Sequence, residues 1–303
     1  MSDKDQGNRR NQIRVGLVGY GEIGSTLGAG LRGNGLVEVL SYDNGAQDGP
    51  FAALIRQRAA AAGVTLVDSP AALAARVDII LGVTPGSSSV ASAAAFAPHL
   101  RPGQVYADVA SATPKVKQSV ERALAGSGAL LADASIMGTP KDGLALPILA
   151  SGPAARALAE ALTPWGMRID PVEGPLGTAS GIKIMRSVLI KGIEALLDEM
   201  LLGARHYGLA DAVMASAART LQKPLDELAA GMLTTGVIHA KRRAEEVAMA
   251  AEALADAGVE PLVTRGTEAR LRWVESLDLK SHFEGKVPED LETALRAMEQ
   301  ASK

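Results

Sequence analysis

From Ile13 to about residue 172 the chain alternates short apolar, β-branched runs with stretches of helical periodicity. IRVGLVG, VEVLSYD, VTLV, DIILGV, QVYADV and ALLADAS predict six strands; ILASG predicts another, followed by a proline-started helix and then MRIDPV. Strands that alternate with helices in this way predict βαβ units around a parallel sheet. Two helix starts are marked by a capping residue followed by proline, Ser69-Pro70 and Thr113-Pro114. Proline at a first helical position has no hydrogen bond to lose.

The pattern changes near Gly177, after which almost every window has helical periodicity. A long run from Thr178 to His206 carries Ile182, Met185, Leu189, Ile193, Leu196 and Met200 at helical spacing. Gly208, Lys223-Pro224, Gly258 with Pro261, and Gly285 to Pro288 punctuate the helices that follow. The expected organisation is a doubly wound α/β domain at 13–176, an all-α domain at 177–303, and a loose polar tail at 1–12.

Composition narrows the function classes. A net charge of −3 offers no overall positive field for a polyanion, so nucleic acid is not an expected partner. The absence of cysteine excludes disulfides, cysteine-held metals and thiol nucleophiles, and fits a reducing compartment such as the cytoplasm. No apolar stretch approaches the roughly 18 to 20 residues that a bilayer requires, and the polar first residues do not read as a secretory leader. His99, His206, His239 and His282 have no ligand spacing among them, so no metal site is expected.

The strongest chemical signal is Gly19-Tyr20-Gly21-Glu22-Ile23-Gly24, placed directly between a predicted strand and a predicted helix. In this setting the first glycine permits a tight turn, the second lets backbone approach a pyrophosphate, and the third lets helix and strand pack closely. The fingerprint calls for an acid about 20 residues on, and Asp43 ends the second strand. The first domain is therefore expected to be a Rossmann-type NAD(P)-binding domain. A carboxylate at Asp43 favours NAD, since it accepts ribose hydroxyls and repels the 2′-phosphate of NADP; alternatively Asp43 serves the turn Asp43-Asn44-Gly45.

GYGEIG, ADVASATPKV, DASIMGTP and GTASGIKIMRS, in that order and spacing, resemble the β-hydroxyacid dehydrogenases, which include 6-phosphogluconate and 3-hydroxyisobutyrate dehydrogenases. The later segments look closest to a phosphogluconate-dehydrogenase-like branch. The resemblance implies hydride transfer between NAD(P) and a small hydroxy acid or sugar-acid-like substrate, with Lys183 as general acid/base. An alcohol oxidation needs such a base, and a lysine partly desolvated near a cationic ring can serve. Ser187 stands where the family usually has asparagine, Ile190 where decarboxylating members have glutamate, and Met137 where members have a substrate-binding serine. That leaves Gly138 and Thr139 as polar contacts and makes phosphogluconate decarboxylation unexpected.

Cofactor contacts are further expected at Thr84, Pro85 and Ser111, although a serine in a strand-to-helix loop is more often a helix cap. Lys191 shares a helical face with Lys183 and Ser187; it is either a contact for an anionic substrate or a solvated partner of Glu194 or Asp198. His239, Arg242 and Arg243 read as a charged helix face. The long helix at the junction suggests a homodimer through the helical domain, as the resemblance implies. Imine or keto-acid reduction on the same scaffold is the enzymatic alternative, and a non-catalytic NAD(H)-binding sensor is the alternative from another class.

Overall fold

In the computed structural model the described residues are 13–303; the tail expected at 1–12 lies outside them. Strands β1 (Val15–Val18) and β4 (Ile79–Gly82) are buried at every position, because both of their faces are covered. With β2 (Val39–Tyr42), β3 (Thr65–Leu66), β5 (Val105–Asp108), β6 (Leu130–Ile136), β7 (Pro147–Ser151) and β8 (Arg168–Pro171) they form one eight-stranded sheet. Its order is β3-β2-β1-β4-β5-β6-β7-β8. The chain winds outward through β2 and β3, then crosses back to β4 on the other side of β1, so the topology switches between β1 and β4.

The sheet departs from the expected parallel arrangement at one place: β7 runs antiparallel to β6. Only the segment 137–146, containing a short 3₁₀ turn at Pro140–Ala145, joins the two strands. A parallel return needs a crossover of a dozen or more residues, which this connection does not supply.

Helices cover both faces. On one side α1 (Glu22–Gly33) buries Gly24, Leu27, Gly28 and Leu31, a stripe at helical spacing, together with α2 (Ala52–Ala62) and α6 (Ala155–Leu162). On the other side α3 (Pro70–Ala74), α4 (Ser89–Phe96) and α5 (Pro114–Ala123) pack a second core. Alternate residues of one strand feed opposite cores: Ile79 and Leu81 enter the first, Ile80 the second. Each such fully buried side chain is worth about 1.5–3 kcal/mol. Ser69 and Thr113 cap α3 and α5 through their hydroxyls, as the Ser-Pro and Thr-Pro pairs predict.

The remainder is helical. Helix α7 spans Thr178–His206, followed by α8 (Ala210–Thr220), α9 (Leu225–Asp256), α10 (Leu262–Ser276), α11 (Leu279–His282) and α12 (Leu291–Ala301). Among the described residues the chain divides into two compact units, one running to Arg186 and the other from Ser187 to Lys303. The helix breaks fall at the expected residues: Gly208, Gly258 and Gly285 take positive φ, and Pro224 and Pro261 precede α9 and α10. The second unit has its own core around Val237, Ile238, Val274, Leu279, Ala294 and Ala297. Among the described residues no helix is long and apolar enough to cross a membrane.

Candidate active site

A groove of about 710 Å³ opens at the carboxyl ends of β1, β2, β4 and β5, across the topological switch. Gly19 turns the chain at φ +95°, and a Cβ at Gly21 would meet nothing within 4 Å, so backbone is presented bare at the N-terminus of α1. Gly24 serves packing instead. A Cβ there would lie 2.2 Å from the Gly19 carbonyl oxygen, which would force the turn apart. Gly19, Gly21, Glu22, Ile23, Asp43, Thr84, Pro85 and Ser111 all line the groove.

Tyr20 and Gly24 shape the loop without lining the groove. The Tyr20 ring is fully buried beneath α1, and burial pushes its phenol up to about 12. Its backbone N–H donates to the Asp43 carboxylate at 2.7 Å, and Gly45 N–H donates to the other carboxylate oxygen at 2.8 Å. Asp43 therefore serves the turn and also borders the groove, so the two readings of its sequence position are compatible.

Lys183 meets the groove at Ser111. Its ammonium donates to Ser111 Oγ at 2.6 Å, bringing together two groups 72 residues apart in the chain. Two glycines leave room near this pair. At Gly177, with φ +98°, a Cβ would come within 3.1 Å of Pro114, and at Gly86 a Cβ would run into the Ser111 carbonyl. Burial lowers the Lys183 ammonium below the ordinary lysine value, the Lys117 cation lowers it further, and Asp133 opposes them.

Beneath Ser111 lies a charged cluster that the sequence reading missed. Lys117, wholly buried, donates to the Asp108 carboxylate at 2.9 Å and to the carbonyls of Asp108 and Ala110 at 2.8 and 2.7 Å. It also pairs with Asp133 at 3.2 Å. Asp133 in turn accepts the Ser180 N–H at 2.8 Å and its hydroxyl at 2.6 Å, capping the first turn of α7, while Ser151 accepts the Ala179 N–H. The only sequence signal was the charged residues in QVYADV, PKVKQSV and ALLADAS, each unremarkable alone.

The substrate-side residues are placed differently. Gly138 is packed against Asp142 and Pro147, where a Cβ would come within 2.6 Å of each. Thr139 donates its N–H to Asp142 at 2.7 Å and opens the 3₁₀ turn. Ser187 and Lys191 follow Lys183 along α7 but belong to the second unit, where Lys191 pairs with Glu194 at 2.6 Å with both side chains exposed. Arg242 pairs with Glu246, and Arg243 donates to the Met232 carbonyl, in keeping with a charged helix face.

Residues 14–170, just over half of the chain, match the family described as the NAD binding domain of 6-phosphogluconate dehydrogenase. The chain belongs to this family. Its membership places it in the β-hydroxyacid dehydrogenase superfamily of NAD(P)-dependent oxidoreductases, with NAD or NADP as cofactor. Residues 204–274 match a second family, described as a domain of unknown function (DUF1932).

Solved structures agree. A conserved hypothetical protein from Sinorhizobium meliloti 1021 is 27% identical, with a TM-score of 0.62 over 95% of this chain and 96% of its own. A conserved protein described as structurally similar to 3-hydroxyacid dehydrogenases is also 27% identical, with a TM-score of 0.60 over 87% of this chain and 98% of its own. A reductive aminase from Aspergillus terreus, in complex with NADPH and ethyl levulinate, shares the fold with a TM-score of 0.72 at 18% identity, over 94% and 98%.

Proposed function

We propose that this chain transfers hydride between NAD(P) and a small anionic hydroxy acid, with Lys183 carrying the hydroxyl proton. The observation that supports it most is the Lys183 ammonium held 2.6 Å from Ser111 at the groove, in surroundings that favour the neutral amine. The glycine loop fits a dinucleotide: the bare backbone at Gly19 and Gly21 would hold the pyrophosphate, and Asp43 the adenosine ribose. Asp43 makes NAD the preferred cofactor. The nicotinamide, when bound, supplies the hydride acceptor or donor.

In the oxidising direction the neutral Lys183 amine takes the hydroxyl proton as the carbonyl forms; in the reducing direction its ammonium returns it. Ser111 holds the Lys183 Nζ in place. Ser187, Gly138 and Thr139 orient the substrate, and Lys191, once released from Glu194, meets its anionic end. The exposed apolar residues of α7, among them Val188 at 70% and Leu202 at 49% exposure, support a homodimer formed through the helical unit.

A second reading, imine or keto-acid reduction, is favoured by the apolar Met137 in the position where family members carry a substrate-binding serine. One assay separates the readings. Absorbance of the reduced nicotinamide is followed with both cofactors, against hydroxy acids and sugar acids in one direction and oxo acids with and without amine in the other. Turnover of a hydroxy acid supports the first reading. Turnover only when amine is present supports the second, and binding without turnover of any compound supports a sensor.

A further inference from the structure

The cluster under Ser111 reaches both halves of the Lys183–Ser111 pair. Three donors of Lys117 are spent on Asp108 Oδ2, Asp108 O and Ala110 O, so its ammonium fixes the backbone that carries Ser111. Its fourth neighbour, Asp133, caps the N–H of Ser180 in the turn of α7 that carries Lys183. The same Asp108 carboxylate oxygen accepts the Ser89 hydroxyl at 2.6 Å. One cation and two carboxylates, all buried, thus join the end of β5 and the middle of β6 to α5 and α7.

We propose that Lys117 is a positioning residue for Lys183: its buried ammonium clamps the end of β5 to the middle of β6, fixes Ser111 against Lys183 on α7, and presents a positive charge to the Lys183 amine. The inference rests on the reading of Lys183 as proton carrier. A buried ion pair contributes little net stability compared with apolar residues of the same volume, so the presence of one beside the groove points to the site. The charged groups facing Lys183 are Lys117 on α5 and Asp133 on β6; the first disfavours its ammonium and the second favours it. Loss of Lys117 therefore leaves Asp133 unopposed.

The test needs no substrate. The full chain is acetylated with acetic anhydride across a pH series, and the labelling of Lys183 is read by mass spectrometry for wild type and Lys117→Met. The labelling midpoint moves up in Lys117→Met, and below both midpoints each pH unit of movement slows labelling about tenfold. A folded Lys117→Met with an unchanged midpoint overturns the proposal. Should the lone substitution unfold the chain by stranding two carboxylates, Lys117→Met with Asp108→Asn removes the cation together with one partner. The same upward shift is expected, and its absence is equally fatal. A shifted midpoint combined with full turnover by Lys183→Met would retain Lys117 as the positioning residue but remove Lys183 from catalysis, which separates the two claims.

Discussion

At the residue scale, Asp43 and Lys183 each hold more than one job. Asp43→Ala strands the Tyr20 N–H and frees the turn at Gly45, which costs about 1–3 kcal/mol of stability. With Asp43 holding the ribose as proposed, the substitution also removes the hydroxyl acceptor and the repulsion of a 2′-phosphate, so NAD affinity falls more than NADP affinity in parallel titrations. Equal losses for the two cofactors would assign Asp43 to the turn alone. For Lys183, burial and the Lys117 cation shift the balance toward the free amine. With Lys183 as the proposed proton carrier, the rate of alcohol oxidation rises with pH through a midpoint below the ordinary lysine value, while carbonyl reduction, which needs the ammonium, falls through the same midpoint. A kcat/KM profile for oxidation with no ascending limb below that value would contradict this. The glycine loop and Asp43 were legible in the sequence because their chemistry is local. The Lys117–Asp108–Asp133 cluster was not, because it is assembled from three elements and no one of them carries a recognisable spacing.

At the element scale, the succession of strands and helices followed from pattern, as did the helix breaks at Gly208, Gly258 and Gly285. Every apolar run from IRVGLVG to MRIDPV became a strand, and the run from Thr178 to His206 became one helix. What pattern could not show was direction: the reversal of β7 depends on the short connection after β6, and periodicity carries no sign. Nor could it show how helix ends are held at a distance. Glu199, buried in α7, accepts the N–H groups of Val263 and Thr264 at 2.6 and 3.0 Å and the Thr264 hydroxyl at 2.6 Å, anchoring the N-terminus of α10. Burial alone would push this carboxyl up, but the hydrogen bonds from Thr264, Val263 and Leu262 overcome it and hold it below its ordinary value. A carboxylate lowered in the fold stabilises above the unfolded value of about 4.3 and loses that contribution as pH falls through the folded one. Glu199→Gln should lower stability at neutral pH by about 1–3 kcal/mol, with the gap to wild type closing in acid. Thermal unfolding at neutral and acid pH checks it, and a gap that persists unchanged into acid would show that packing, not charge, is lost. In α1, Gly24→Ala drives a methyl into the Gly19 carbonyl, so dinucleotide affinity falls with little change in helix content. Calorimetric titration against circular dichroism reads both.

At the scale of the whole molecule, α7 exposes Ile182, Met185, Val188, Leu189, Ile193 and Leu196, more apolar surface than an isolated surface helix carries. The proposed homodimer predicts a sedimentation coefficient for two chains at micromolar concentration, and Val188→Glu shifts it to that of one chain; a wild-type chain that sediments alone would remove the dimer. Family membership, oxidoreductase chemistry and the NAD(P) groove stand apart from that question. The central claim is that Lys183 moves the substrate proton, and turnover of Lys183→Met tests it directly. The variant is assayed beside wild type by reduced-nicotinamide absorbance, with thermal midpoint and cofactor affinity measured on the same sample. The account predicts a folded variant that binds NAD as wild type does and turns over about 10² to 10⁴ more slowly. A folded, cofactor-binding Lys183→Met that retains more than about a tenth of the wild-type rate would contradict it.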